Sequence, residues 1–128
     1  MRIFILLAFI LVGCGAKTDG EKSAQEALLR NLEGYTIAAC LTFQTNPYLK
    51  DQGDAWASVI IQRMQGSPEI LLDIVEKVRV EVDKGNTAVI RDEASPQKDK
   101  ALPILFCNEI IYQTEVRAAI QKTMEAFK

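Results

Sequence analysis

From Ser23 onward, apolar residues return at steps of three and four, the period of a helix packed along one side. Ser23-Ala24-Gln25-Glu26 has the form of a capping box and predicts the start of a first helix. Leu28, Leu32, Tyr35, Ala39 and Phe43 then share one face, with Cys40 beside it. Gly34 predicts a kink or a close approach within this helix, and Asn46-Pro47 predicts its end near Thr45.

Tyr48 to Gly53 reads as a turn, with Asp51 or Asp54 capping a second helix over Ala55 to Met64. Gly66 is expected as the residue that ends it. Ser67-Pro68 predicts the start of a third helix, with the proline at its first position and Leu71, Ile74, Val75, Val78 and Val82 on its buried stripe. Lys84 and Gly85 supply the stop. Asn86 to Lys100 breaks the pattern: a brief β-branched piece, Thr87 to Ile90, is followed by a polar stretch without period. This predicts a long exposed loop, either a connector or a binding element. Helicity resumes at Leu102-Pro103, with Ile104, Leu105, Cys107, Ile110 and Ile111 expected inside. Thr114 is the expected cap of a last helix carrying Val116, Ile120, Met124 and Phe127 on one face.

Before this helical region the chain has a different character. Arg2 precedes a continuous apolar run from Ile3 to Val12, followed by Gly13-Cys14. A run of about ten residues is too short to span a bilayer as a helix, which takes roughly 20, but it has the order of a secretory signal. Leu11-Val12-Gly13-Cys14 resembles the bacterial lipobox, in which the chain is cut before the cysteine and its sulfur carries diacylglycerol. The resemblance implies a signal peptide over 1–13, a lipidated, flexible tether over 14–22 beginning at Cys14, and a domain over 23–128 on the periplasmic side. Gly15 rather than Asp follows the acceptor, which in enteric lipoproteins goes with an outer-membrane location.

An oxidising compartment changes the reading of Cys40 and Cys107. Two cysteines far apart in sequence are expected to form a disulfide there, the alternative being two separate buried thiols. The expected fold is therefore all-α, a small disulfide-bridged bundle of about five helices with one long loop.

Composition narrows the chemistry. The chain has 15 basic and 17 acidic side chains and no histidine. Loss of residues 1–13 removes only Arg2, leaving 14 against 17 and a mildly acidic domain with no electrostatic footprint for nucleic acid. Without histidine, Ser-His-Asp and Cys-His catalysis and imidazole-based zinc sites are excluded. Asp51 with Asp54, Asp73 with Glu76, and Glu81 with Asp83 read as solvated faces or caps rather than metal or acid–base sites. No enzyme activity, metal or cofactor is expected.

Tyr35-Thr36-Ile37-Ala38-Ala39-Cys40-Leu41, Asp51-Gln52-Gly53-Asp54-Ala55-Trp56-Ala57-Ser58 and Phe106-Cys107-Asn108-Glu109-Ile110-Ile111-Tyr112-Gln113-Thr114-Glu115-Val116, in this order, resemble the amidase-immunity proteins of the type VI secretion system over about residues 25–127. The resemblance implies a periplasmic helical protein that binds a peptidoglycan-cleaving amidase toxin and blocks its active-site cleft, with a homodimer as one assembly open to it. The corresponding protruding segment is the loop carrying Arg91, Asp92, Glu93, Ser95, Pro96, Lys98 and Lys100, which are the expected partner-binding residues. The chain also resembles, more weakly, the pilotin lipoproteins that escort secretin subunits. A structural envelope lipoprotein is the third reading.

Overall fold

The structure, a computed structural model, describes residues 18–127; the expected signal peptide and the expected lipid acceptor, Cys14, lie outside the described residues. Helix α1 runs over Asp19–Thr42 and starts five residues earlier than the capping box predicted, so residues 19–22 of the expected tether are its first turn. Thr18 precedes it in extended conformation without a side-chain cap, while Asp19 and Glu21 place negative charge at the positive end of the helix dipole. Ser23 is an interior position. The first turns, up to Ala27, are largely exposed, and burial begins in earnest at Leu32. Between Tyr35 and Leu41 the helix is covered on most sides, because every other α-helix packs against it. The buried Thr36 hydroxyl is satisfied within the helix, donating to the Leu32 carbonyl at 2.7 Å.

Helix α2 spans Pro47–Met64, and the turn expected over Tyr48 to Gly53 is part of it. The cap is Asn46, not Asp51 or Asp54: its Oδ1 accepts from the backbone N–H of Tyr48 at 2.9 Å and of Leu49 at 3.2 Å. Proline at the next position starts a helix here rather than ending one, since its missing N–H would have had no partner. The two helices form an antiparallel hairpin. Gly53 lies against Ala38 to Thr42 of α1, and farther along α2 the Trp56 and Ile60 side chains lie against Gly34. Gly34 thus serves close packing. The left-handed residue closing α2 is Gln65, with φ of 51°, rather than Gly66. Gly66 instead makes room for the Phe127 ring, which a Cβ would approach to 3.1 Å.

The third helix opens less regularly than Ser67-Pro68 suggests. Ser67 makes no side-chain cap, and Pro68–Leu71 is a 3₁₀ turn leading into α3, Leu72–Asp83. Leu71, Ile74 and Val78 are buried as expected, with Val75 and Val82 partly covered. Glu81, expected on a solvated face, continues the buried stripe at the same helical spacing. Its carboxylate, 10 % exposed, accepts from Lys84 Nζ at 2.6 Å, which keeps the charge paired where the helix turns it inward.

Helix α4, Pro103–Glu109, passes into a 3₁₀ turn, Ile110–Tyr112, and then α5, Thr114–Ala126. Thr114 is the first helical residue and Gln113 the cap position, without a side-chain cap bond. Phe106, Cys107, Ile110 and Ile111 are buried, but Ile104 and Leu105, expected inside, face solvent. Helix α4 is only two turns long, so just one side of it reaches the core. Asp73 lies 3.7 Å from Lys122 and Glu33 lies 2.8 Å from Arg117, ion pairs that tie α3 to α5 and α5 to α1.

Cys40 and Cys107 form the disulfide, with Cα atoms 5.4 Å apart, joining α1 to α4. Both are fully buried, and the Gln44 side-chain amide covers them, donating to the Cys40 carbonyl at 3.1 Å and lying 3.5 Å from the Cys107 sulfur. The fold is the expected small all-α bundle with five α-helices among the described residues.

Candidate functional site

The expected loop folds into an arm with its own backbone order. Strand β1, Val89–Ile90, pairs antiparallel with β2, Lys100–Ala101, in the register Val89 opposite Ala101 and Ile90 opposite Lys100. The Leu102 N–H donates to the Ala88 carbonyl at 2.8 Å and closes the root. Two strands of two residues have little stability alone, and the loop between them supplies the rest. The Asp92 carboxylate accepts from the backbone N–H of Ala94 and of Ser95, each at 3.1 Å, and the Asp99 carboxylate accepts from the Asp92 N–H at 3.0 Å. A 3₁₀ turn over Pro96–Lys98 follows, with the Lys98 N–H on the Ser95 carbonyl at 2.8 Å. Short polar side chains that cap backbone amides are the means by which an apparently patternless stretch acquires one shape.

The expected partner-binding residues therefore have different duties. Asp92 shapes the arm, as does Asp99, which sequence reasoning had not singled out. Ser95 is partly buried and contributes backbone groups to the arm's bonds. Arg91, Glu93, Lys98 and Lys100 are exposed. Pro96 opens the 3₁₀ turn.

The arm and the helix that follows it expose apolar side chains, two of which the helical pattern placed inside. Val89 and Ile90 are exposed on β1, and Ile104 and Leu105 on the first turn of α4, only a few residues beyond β2. Ile104 is 63 % and Ile90 57 % exposed. Farther along the outer side of this segment Tyr112 is 72 % exposed, with the Arg117 guanidinium 5.8 Å from its ring centroid. Arg117 is held in place by Glu33. Alternating sides of a short helix cannot be told apart from a handful of apolar residues, which is why Ile104 and Leu105 read as core.

The anchorage of this surface follows from α1. Cys40 lies 21 residues beyond Asp19, about 30 Å along the helix axis at ~1.5 Å per residue. The disulfide fixes α4, and with it the root of the arm, near that far end. Arm and chain entry are thus well separated.

Other places offer less. The apolar depression between Ile61, Met64, Ile70 and Phe127 has no room for a water-sized molecule. Among the described residues no group of three or more Cys, Asp or Glu is placed to hold a metal ion. The close carboxylates lie within helices, on their surfaces apart from Glu81, and Glu76 is engaged by Arg79 at 2.6 Å, which holds its carboxyl below the usual carboxylate range. No described helix is long and apolar enough to cross a membrane. Comparison of the chain with known protein families, characterised proteins and solved structures finds no match.

Proposed function

We propose that this chain is a periplasmic lipoprotein, anchored to the outer membrane through Cys14, that binds a peptidoglycan amidase toxin and inhibits it by presenting the arm to the enzyme's cleft. The observation that carries this reading is the internal order of the arm. Its backbone amides are capped by its own aspartates, and its root is tied to a cross-linked helix. A segment already ordered before binding loses less conformational freedom on docking, and an inhibitor that works by occupying space depends on that saving. The separation between the start of α1 and the arm suits an anchored protein that must reach a soluble enzyme.

The test is co-expression in the periplasm with the product of the adjacent gene. The expected outcome is that this product lyses cells alone and is neutralised by the full-length lipoprotein. Toxicity that persists unchanged, or a harmless neighbour, would remove the reading.

One observation favours a second reading, that of a pilotin. Ile104 and Leu105, exposed on the first turn of α4, offer apolar side chains of the kind that pack against the nonpolar side of a partner helix. Saturable binding of a secretin's C-terminal peptide, lost on Ile104→Asp, would favour it over the toxin reading.

A further inference from the structure

The bridge between Cys40 and Cys107 is covered in two different ways. Both cysteines are fully buried, so a thiol in solution touches neither sulfur while the native conformation holds. Part of the cover is the apolar core, in which the cysteines are grouped with Phe106, Ile110 and Ile111. Another part is Gln44, a polar side chain that is only partly buried. It belongs to the turn of residues 43–46 that joins α1 to α2, and so to neither helix. Its Nε2 donates to the Cys40 carbonyl at 3.1 Å and lies 3.5 Å from the Cys107 sulfur and 3.8 Å from the Cys40 sulfur. A carbonyl oxygen only accepts, which fixes the amide with its nitrogen turned inward. One side chain thus touches both sulfurs and is itself open to water.

We infer that Gln44 is a lid on the bridge, and that thiols reach the sulfurs when it opens, without unfolding of the bundle. Displacing a core side chain means parting packed helices. Displacing Gln44 breaks a side-chain hydrogen bond to one carbonyl, in a turn, and segments of this kind open locally far more often than a whole domain unfolds. With the lid open, a small thiolate attacks one sulfur. A new S–S bond forms as the Cys40–Cys107 bond breaks, and the released cysteine thiolate takes a proton from water. A second thiol of the same kind then resolves the mixed disulfide, leaving both cysteines reduced and the two small thiols joined. Because the bridge fixes α4 and the root of the arm, the lid sets how long the arm keeps its anchorage when thiols are present. This holds whatever the arm binds.

The experiment exposes the purified full-length protein to dithiothreitol, quenches with an alkylating agent at intervals, and reads Cys40 and Cys107 by peptide mass. For the unmodified protein the rate is expected to be proportional to dithiothreitol and unchanged by urea up to about 1 M, the signature of a local opening. Gln44→Ala is expected to be reduced at least about tenfold faster, again without urea dependence, because the opening step is no longer required. Thr45→Ala, an exposed neighbour in the same turn, is expected to stay within about twofold of the unmodified protein. Reduction of Gln44→Ala within about twofold of the unmodified rate overturns the inference. So does a rate that levels off with dithiothreitol at the unfolding rate, or an acceleration in Gln44→Ala that rises steeply with urea, since either means that the sulfurs are reached only through unfolding.

Discussion

A Cβ on Gly53 would stand 2.6 Å from the Ala38 carbonyl oxygen, so α1 and α2 touch backbone to backbone at that point. The same Cβ would lie 2.8 Å from the Thr42 nitrogen and 2.9 Å from the Leu41 Cβ. These neighbours are parts of a helix and cannot swing aside. Gly53→Ala is therefore expected to push the hairpin apart and destabilise the domain by about 1–3 kcal/mol or more, even though alanine favours helix. Gly34→Ala meets the end of the flexible Ile60 side chain at 3.2 Å and is expected to cost less than about 1 kcal/mol. Urea midpoints of the two variants give the comparison.

The Cys40–Cys107 bridge closes a long segment, 67 residues apart in sequence. In the chain-entropy model a loop of this size contributes about 4 kcal/mol, a large part of the stability of a small domain. Cys40→Ala/Cys107→Ala is expected to lower the unfolding midpoint accordingly. Amide exchange would show more. Helix α4 and the root of the arm should lose protection first, because α4 is short and its main fixed point is gone.

Glu33 and Arg117 join α1 to α5 with both side chains about a quarter exposed. Water screens a pair of this kind, so the coupling in a double-mutant cycle is expected at about 0.5–1 kcal/mol. Arg117 also lies over the Tyr112 ring, and Glu33→Gln should loosen that contact. A coupling energy above about 2 kcal/mol would show that the pair is shielded far better than its exposure indicates.

Burial raises the pKa of Tyr35 above the ordinary tyrosine value, because the phenolate loses water that nothing in the core replaces. The folded state then holds the proton more tightly than the unfolded state. Stability from this group is fully present below about pH 10, the ordinary tyrosine value, and is lost as pH rises above it. Denaturation between pH 9 and 12 should steepen relative to Tyr35→Phe. Equal pH dependence of the two proteins would contradict the assignment.

Much of the architecture can be read from the sequence. Long stripes such as Leu32, Tyr35 and Ala39, or Ile74 and Val78, announce amphipathic helices because period and burial share one cause. The paired cysteines were legible from their number and from the oxidising compartment that the expected export signal implies. The ends of elements were less so. Asn46-Pro47 either stops a helix or caps the next one, and here it does the second, since Asn46 reaches two free amides. The candidate surface was half visible. Arg91 to Lys100 stood out as a polar break, but its order depends on Asp92 and Asp99 reaching particular amides across the arm.

By itself, then, the sequence determined the helical class, the approximate number of helices and the residues available for cross-linking. Each of these follows from local period and composition. Tertiary structure alone decided that Gly53 is a helix contact and not a turn, that Glu81 turns inward and that Ile104 turns out. Which side of an element is covered depends on what packs against it, and a short helix such as α4 has too few residues to declare its own inner face. The juxtaposition of Ile90 with Lys100 is likewise a matter of strand register. It is set by the hydrogen bonds of the arm and by no pattern along the chain.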